Sequence, residues 1–506
     1  MTLPRRLSIA AGLFVALSLP AAARADCMGR PTDPGGAAGY SYDTAASVSS
    51  YATARAKVFY ATSGPNAASL ATTRADGVPD GVGLAGDIAE DALVRYEQMG
   101  FQKPVPDTCP SNGGDGRLDI YLVKFANADG TAVVESCTGH ACSTWLLCDA
   151  TFVGRGYASV TEGFRTVIPH EVFHAVQNAY DGVSIDRFWA EGTAQWAMKT
   201  LHPELMDLER HLGAFFSVSG RSIDVPPMGL DYLYGTAVWP VFLTERYDAT
   251  LVRSVLEQEV SGTGSLAAVD AALAPHSSSL AAEFPLFVAW NACTKDRVGT
   301  GGYASAGTYP SINPPQELSV TAQAITTGFS NFTYHLAASA PSHVTIDTDR
   351  TRNGALLVPL EAGKCRLDQV ATLPANVQSE ALVVVSGVTA KKTDAPFTLM
   401  VVAGLVAEGM GSGGPGAGGG GSSGCAVGIA RGPLEAHSMI AALIGAALAL
   451  GRRRSSRRLL RWAGRENFRS PPLRTTPRGR KTLPMTGASK ASAQRQTDER
   501  ARGGQP

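Results

Sequence analysis

Hydrophobic residues recur at helical spacing in several parts of the chain. In residues 87–100 the apolar positions fall on one helical face, and Gly100 follows as a stop signal. The same spacing predicts helices over residues 167–179, 187–201, 206–216, 234–247 and 250–260. Two other segments are rich in alternating, β-branched or aromatic residues, which predicts strands over residues 117–124 and 143–152.

A different pattern begins after about residue 305. Short apolar segments, separated by Pro, Gly and Asn turns, occur at residues 318–324, 332–338, 343–347, 355–360, 381–385 and 397–402. This punctuation is typical of a small all-β sandwich. The pattern therefore predicts an α+β fold, with an N-terminal or propeptide-like segment over residues 26–74, an α+β domain over 75–304 and a β-sandwich domain over 305–406.

The two ends of the chain have the composition of targeting segments. Residues 1–25 combine Arg5 and Arg6, an apolar run and a small-residue cleavage site, which predicts a secretory signal peptide. Residues 407–424 are rich in Gly and Ser and are expected to form a flexible linker. Residues 455–506 are basic and lack hydrophobic periodicity, which predicts disorder.

Residues 425–454 contain Cys425, an apolar run at 438–451 and three consecutive arginines. This order resembles the MYXO-CTERM surface-sorting tail of exported bacterial proteins, which implies processing near the cysteine and display at the cell surface. An ordinary single-helix membrane anchor is the alternative. Both interpretations attach the chain to a membrane through its C-terminal tail and leave the body outside the cytoplasm, either anchored or secreted.

Charge is distributed unevenly along the chain. The whole sequence has 44 Lys and Arg against 44 Asp and Glu, but residues 26–451 carry 25 basic and 41 acidic residues. An acidic body argues against nucleic acid as a partner, because affinity for phosphates depends largely on cationic side chains.

Seven cysteines precede the linker, at positions 27, 109, 137, 142, 148, 293 and 365. In an exported protein they are expected to form disulfides, and the three within residues 137–148 predict a local bridged loop. Because seven is odd, at least one is free or pairs outside this set.

The sequence His170-Glu171-Val-Phe-His174 carries the candidate chemistry. On a helix, positions i and i+4 share a face, so both imidazoles can bind one ion while Glu171 lies beside a water on that ion. A catalytic zinc site normally has three protein ligands and one open position, so a third ligand is required. Glu191 lies 17 residues after His174, which leaves room for a loop and an antiparallel second helix.

With Trp189-Ala-Glu191-Gly-Thr, the motif resembles the gluzincin metallopeptidases. The resemblance implies a zincin-like catalytic domain in which His170, His174 and Glu191 bind Zn²⁺ and Glu171 is the catalytic base. The alternative for Glu191 is an ordinary exposed carboxylate on a helix. Gln195 stands where many gluzincins have an acidic residue that orients a ligand histidine, which predicts somewhat weaker metal binding.

A narrower resemblance is to exported bacterial metalloproteases that place an Asp-Tyr-Leu-like strand ahead of the zinc helix, here residues 115–122. Tyr234, at the predicted start of a helix, is our candidate for stabilising the oxyanion, with Tyr232 and His211 as alternatives. The turns Asp76-Gly-Val-Pro-Asp80 and Asp115-Gly-Arg-Leu-Asp119 could bind Ca²⁺, although neither has complete EF-hand spacing.

These patterns predict a surface-anchored or secreted zinc metallopeptidase that hydrolyses protein or peptide substrates. Two alternatives stay open. One is a non-catalytic surface adhesion or binding protein with a zinc-stabilised fold, and the other is a zinc hydrolase acting on a non-peptide bond, because the ligand set determines the reagent and not the substrate.

Overall fold

The computed structural model describes residues 29–406, with gaps at 37–39, 107–114, 126–127, 226–228, 261, 313–314, 338–339 and 390–392. The predicted signal peptide, linker, sorting tail and basic tail lie outside the described residues, as do Cys27 and Cys109. The fold is α+β, as the sequence predicted.

Five strands form the first sheet, in the order β1-β2-β3-β5-β4. Their bounds are β1 Val48–Ala52, β2 Ala56–Ala61, β3 Leu118–Val123, β4 Gly130–Thr138 and β5 Ala141–Asp149. The central pairs β2/β3 and β3/β5 are parallel, and the outer pairs β1/β2 and β4/β5 are antiparallel. Strands from the predicted N-terminal segment 26–74 therefore share a sheet with strands from residues 75–304.

One helix lies between β2 and β3, and the others follow β5 and extend to residue 292. In the described residues they are α1 Asp80–Gln98, α2 Val160–Asp181, α3 Arg187–Leu201, α4 Asp207–Phe216, α5 Leu230–Gly235, α6 Val238–Arg246, α7 Thr250–Glu259, α8 Ser265–Leu273 and α9 Leu280–Ala292.

Residues of β3 alternate between the two faces of this sheet. Leu118, Ile120 and Leu122 belong to the main core, which α1 and α2 also join. Tyr121 and Val123 belong to a smaller aromatic cluster on the opposite face. Both faces of the sheet are therefore covered, which explains why all six residues of β3 are buried.

Helix α2 begins seven residues earlier than the periodicity predicted. The Ser159 hydroxyl accepts a hydrogen bond from Glu162 N, and the Glu162 carboxylate accepts one from Ala158 N. This Ser-x-x-Glu cap satisfies backbone donors at the helix start, and it was a signal available in the sequence.

Ten strands form the β region. Their bounds are β6 Gln316–Glu317, β7 Thr321–Thr327, β8 Asn331–Ala337, β9 Ser342–Thr348, β10 Asn353–Glu361, β11 Lys364–Cys365, β12 Ala371–Thr372, β13 Ala375–Val377, β14 Glu380–Gly387 and β15 Asp394–Ala403. One sheet has the order β11-β10-β14-β8-β6, with β12 paired to β10, and the other has the order β13-β9-β15-β7. A core that includes Tyr334, Val383 and Phe397 lies between the sheets.

The helical and β regions share a core. Leu356 and Val384 face away from the sandwich interior and join the cluster that contains Phe284 of α9. A disulfide between Cys293 and Cys365 also links the two regions. The predicted boundary near residue 305 is therefore a change of structural class within one packed body.

One predicted helix is interrupted in the structure, and several elements were not predicted. The single helix predicted over residues 234–247 is divided into α5 and α6. The Thr236 hydroxyl lies between these helices and hydrogen-bonds the carbonyls of Leu233 and Phe188. Helices α8 and α9, strands β1, β2 and β4, and the short strands β6, β11, β12 and β13 were not predicted. Among the described residues, no helix has the length and apolar character needed to cross a bilayer.

Candidate metal centre

Three side chains from α2 and α3 bring their donor atoms together. The Nε2 atoms of His170 and His174 are 3.1 Å apart, and Glu191 Oε2 lies 3.4 Å from the first and 3.5 Å from the second. The helices run antiparallel, because His174 faces Glu191 while the earlier His170 faces the later Gln195. This group could hold a metal ion, and the three predicted ligands are the residues that it contains.

His170 is oriented by a side-chain amide. Gln195 Oε1 lies 3.2 Å from His170 Nδ1, and Gln195 Nε2 donates to Asp207 Oδ2 at 2.7 Å. Because a carboxylate only accepts hydrogen bonds, the Gln195 amino group must face Asp207 and its carbonyl must face the imidazole. His170 therefore donates from Nδ1 to this oxygen, which turns its Nε2 toward the other two donors.

His174 is oriented in the same way by Gln177. Gln177 Oε1 lies 2.7 Å from His174 Nδ1, and Gln177 Nε2 donates to the carbonyl of Ala190 at 2.8 Å and to the Thr193 hydroxyl at 2.6 Å. In both imidazoles Nδ1 is therefore held by an amide oxygen, and Nε2 is the nitrogen that faces the other donors of the group. The two amides differ in what lies behind them, since Gln177 faces a neutral carbonyl and Gln195 faces a carboxylate.

Glu171 lies beside the three donors, in contact with β4. Its carboxylate accepts a hydrogen bond from Ala132 N, and burial raises its pKa although the two imidazoles oppose the rise. A Cβ at Gly130 would lie 2.5 Å from Val167 Cγ1 and 2.9 Å from Glu171 Oε1. Only glycine therefore lets β4 pass this close to the Glu171 side chain.

The carboxylate and the imidazoles of the group polarise each other. Burial alone raises the pKa of Glu191, but hydrogen bonds from His170 and His174 lower it overall. Burial alone lowers the pKa of His174, but the contact with Glu191 raises it overall to about 9. Glu191 is therefore ionised, and the donor set combines one negative charge with two nitrogen ligands.

A cleft of about 820 Å³ opens beside this group. His170 and Glu171 lie on its wall together with Asp129, Tyr157, His211 and Tyr234. The Tyr234 ring packs edge-on against the rings of His170 and His211, with centroids 5.5 and 5.0 Å away. The sequence predicted that Tyr234 begins a helix. This prediction was wrong, because Tyr234 lies in the last turn of α5.

The other two oxyanion candidates have different environments. His211 Nδ1 lies 3.1 Å from Asp231 and its Nε2 lies 3.6 Å from Asp207. Burial lowers the pKa of His211, but these carboxylates raise it overall. Tyr232 is buried in the main core and does not line the cleft.

Several residues of the site were not predicted from the sequence. Asp207 is separated from the motif by 33 residues, and no spacing rule connects it to Gln195. Gln177 was detectable in principle, because it lies three residues after His174 on the same helix and neighbours at that spacing face each other. Asp129 and Tyr157 reach the cleft from loops, where periodicity carries no information.

In the two turns that were considered for Ca²⁺, the carboxylates of Asp76 and Asp115 pair with basic side chains. The Asp76 carboxylate hydrogen-bonds Arg74, and the Asp115 carboxylate contacts Arg117 and Lys57. In the part of the chain that the structure describes, His170, His174 and Glu191 are the only cluster of three metal-binding side chains.

The cysteines are partly paired. Cys137 and Cys142 form a disulfide across the β4–β5 hairpin, within the predicted bridged loop. Cys148 is free and buried.

Comparisons with known proteins found no matching family model and no matching curated protein. Among solved structures, the chain is similar to periplasmic inhibitors of g-type lysozyme. A mutant of the Escherichia coli inhibitor is 11% identical (TM-score 0.14), and the match covers 17% of this chain and 96% of that one. The Salmonella Typhimurium inhibitor is 10% identical (TM-score 0.13), covering 18% and 99%.

Aminopeptidase A of Legionella pneumophila, solved with aspartic acid, is 12% identical (TM-score 0.32). That match covers 69% of this chain, which spans only 36% of the aminopeptidase. None of these similarities is strong enough to establish a shared fold or a shared function.

Proposed function

We propose that the protein is an exported zinc-dependent metallopeptidase with a zincin-like catalytic region of the gluzincin type. His170, His174 and Glu191 are its zinc ligands, and Glu171 is its general base. The triangle of donor atoms, with sides of 3.1, 3.4 and 3.5 Å, is the observation that carries this proposal.

The donor set fits zinc in both chemistry and size. Zinc accepts imidazole nitrogen and carboxylate oxygen ligands at about 2.0–2.1 Å, so neighbouring donors of a tetrahedral site lie about 3.3–3.4 Å apart. The observed triangle has these dimensions. It also has three protein ligands, which leaves a fourth position open as catalytic sites require.

The chain's own residues then determine the chemistry. A bound Zn²⁺ would supply the Lewis acidity that helps water lose a proton near neutral pH and polarises a substrate carbonyl. Glu171 accepts a proton from water as the water oxygen attacks the peptide carbonyl carbon. The same carboxyl then gives the proton to the departing amine nitrogen as the C–N bond breaks.

Tyr234 is the residue that we propose to stabilise the oxyanion. Its hydroxyl makes no hydrogen bond to another described residue, and burial raises its pKa, so it stays a protonated donor. The edge-on contact with His170 holds the ring beside the zinc ligands. An unpaired donor at this position can hydrogen-bond the developing negative charge.

A peptide substrate is supported by the position of β4. This strand is the last in its sheet, with β5 on one side and no described strand on the other. It passes directly beside Glu171, and Gly130 at its start lines the cleft. The main chain of an edge strand can pair with an extended peptide, which is how several proteins bind peptide segments.

The proposed location is the cell surface or the medium. It is supported by the N-terminal sequence and the C-terminal sorting pattern, with their predicted links to export and to the membrane.

Substitution of Glu171 by Gln tests the proposal, because it removes the base without removing a ligand. We expect cleavage of casein or a peptide library to fall about 10²–10⁴-fold, while zinc content stays at one ion per chain. Glu204→Gln, which changes an exposed carboxylate in the loop after α3, is the matched control and should leave cleavage unchanged.

Three results would contradict the proposal in different ways. If the purified protein contained no zinc, the proposed metal site would be wrong. Zinc without hydrolysis of any substrate would favour the adhesion alternative. Zinc-dependent hydrolysis of esters but not of peptides, abolished by Glu171→Gln, would favour the non-peptide hydrolase.

A further inference from the structure

The two ligand histidines are oriented by glutamines that differ in their electrostatic surroundings. Behind Gln177, the acceptors are the carbonyl of Ala190 and the hydroxyl of Thr193. Behind Gln195, the acceptor is the carboxylate of Asp207, the first residue of α4. The chain thus places a negative charge one amide away from His170 and none at the corresponding position beyond His174.

We propose that Asp207 is a positioning residue for the metal centre, acting through Gln195 to orient His170 and to strengthen its binding of the metal. This inference rests on the proposed function, because it assigns His170 as a zinc ligand. Asp207 lines the cleft, but it reaches His170 only through the Gln195 amide.

The geometry gives Asp207 two separate effects. First, it holds the amino group of Gln195, so the amide cannot turn and present N–H groups to the imidazole. Second, its charge polarises the amide, which makes the Gln195 oxygen a better acceptor for the His170 Nδ1 proton. A histidine that shares this proton more strongly is a better electron donor at Nε2.

Asp207 is suited to remain charged in this role. Burial raises its pKa, but hydrogen bonds from His211 and Gln195 lower it overall. Its position in the first turn of α4 also favours a negative charge, because the backbone N–H groups of a helix start are unpaired.

This arrangement compensates for a feature of the sequence. An amide at position 195 can accept the imidazole proton but brings no charge of its own. Asp207 supplies that charge from a different helix. The structure thereby obtains a carboxylate-linked histidine from two residues that are 12 positions apart.

The test measures metal affinity directly, by competition between each purified variant and a chromophoric chelator for Zn²⁺. Asp207→Asn keeps an acceptor oxygen but removes the charge, and we expect affinity to fall roughly 3–10-fold. Asp207→Ala removes both effects, and we expect a fall of about 10–100-fold. With Co²⁺ in place of Zn²⁺, the visible absorption spectrum should change in Asp207→Ala.

Asp231→Asn is the matched control. Asp231 also contacts His211 and also lines the cleft, but it does not contact Gln195. We expect its affinity to stay within about twofold of the unmodified protein. An equal loss in Asp231→Asn would mean that general negative charge in the cleft matters, and it would overturn the proposal.

A charge exchange provides the rescue. In the double variant Gln195→Glu with Asp207→Asn, the carboxylate faces His170 directly and the amide stands behind it. We expect zinc affinity to return to within about threefold of the unmodified protein. Failure to recover, or unchanged affinity in both single Asp207 variants, would overturn the proposal.

Unfolding measured in chelator separates positioning from simple stabilisation of α4. A purely structural role lowers the metal-free stability of Asp207→Asn and leaves its zinc-induced gain unchanged, which would contradict the inference. If the unmodified protein binds no zinc, the proposed function fails together with this inference. If zinc binding follows the expected order but no peptide is cleaved, only the proposed function fails.

Discussion

Two clusters of ionisable side chains lie on opposite faces of the five-stranded sheet, one fully buried and the other partly buried. On the outer face, Arg30 binds both oxygens of Glu135, at 3.0 and 2.8 Å, and also pairs with Asp119. All three side chains are fully buried. On the helical face, His170, His174 and Glu191 meet, and the ion pairs of Glu191 among the described residues are with these two histidines.

The difference lies in the source of the balancing cation. Buried carboxylates require a positive partner, because removing them from water is costly. The outer cluster receives an arginine from the chain itself, and its guanidinium satisfies the carboxylates with directed hydrogen bonds. The helical cluster instead brings two imidazole nitrogens and one carboxylate oxygen together, and this group could hold a metal ion. The cation of the outer cluster is part of the chain, whereas the proposed zinc would come from outside it.

The largest expected effect comes from breaking the self-neutralised cluster. Arg30→Met should destabilise the protein by about 3–5 kcal/mol, because it leaves two buried carboxylates without their cation. Urea unfolding in chelator and in zinc should give the same loss. The triple variant with Asp119→Asn and Glu135→Gln should recover part of it. A loss below 1 kcal/mol would show that the cluster is not structural.

The second expected effect concerns the helical cluster. Zinc at 1,000 times its Kd should stabilise the unmodified protein by about 4 kcal/mol, and Glu191→Gln should lose most of this gain. In chelator, Glu191→Gln should lose only the smaller contribution that its contacts with the two imidazoles make. Glu135→Gln makes the same chemical change in the outer cluster, and it should destabilise equally with and without metal. If Glu135→Gln lost the zinc-induced gain and Glu191→Gln were destabilised equally with and without metal, the roles assigned to the two clusters would be reversed.

The buried carboxyl of Glu259 tests what happens when a carboxyl has neither an arginine partner nor a place in the proposed metal site. Burial raises the pKa of Glu259 to about 8, with Asp186 and Asp181 adding to the rise and Ser265 opposing it. The folded state therefore favours the protonated Glu259 carboxyl. Its contribution to the free energy of unfolding is fully present below about pH 4.5 and is lost as pH rises toward 8. Glu259→Gln should stabilise the protein by on the order of 2–3 kcal/mol at pH 8 and have little effect at pH 4.5.

The matched control for Glu259 is Glu257→Gln on the same helix, where the carboxylate is exposed and pairs with Arg253. It should show no comparable pH dependence in thermal unfolding between pH 4.5 and 8. If Glu259→Gln behaves like this control, the Glu259 carboxyl is ionised and already balanced by a partner.

The smallest effect should come from β4, the strand that carries Glu135 and borders Glu171. Gly130→Ala places a Cβ against Val167 and Glu171, and we expect a loss of about 1–2 kcal/mol. Peptide cleavage should fall as Glu171 shifts, while zinc affinity stays unchanged. Gly213→Ala on α4 is the control, because its Cβ meets no atom within 4 Å and it should not destabilise.

The periodic parts of this fold could be predicted from the sequence. Helix α3 has the bounds that its apolar pattern predicted, and β3 and β5 lie within two residues of their predicted starts. Strand β4 escaped prediction because it is a partly exposed edge strand with a bulge at Val134 and Ser136, so its residues do not alternate cleanly. Helices α8 and α9 were missed because their apolar sequences lack the amphipathic contrast that marks a surface helix. Most residues of α9 are buried, so it has no polar face.

The candidate site divides in the same way. His170, Glu171 and His174 were identifiable because a single helical turn determines their relation. Glu191 was assigned by the resemblance to gluzincins, and the spacing showed only that a loop and a second helix fit between it and His174. Asp207, Asp129 and Tyr157 were not identifiable. Their contacts depend on how separate elements pack, and no local pattern records that packing.

The sequence alone determined that two imidazoles and a carboxyl would share one helical face, since backbone geometry sets the relation of residues i, i+1 and i+4. It also determined that an acidic helix residue would follow within reach. Only the tertiary structure decided that the donor atoms converge within 3.5 Å, that Asp207 stands behind Gln195, and that Arg30 neutralises the opposite face. These contacts join residues distant in sequence, and their distances follow from the packing of the whole core.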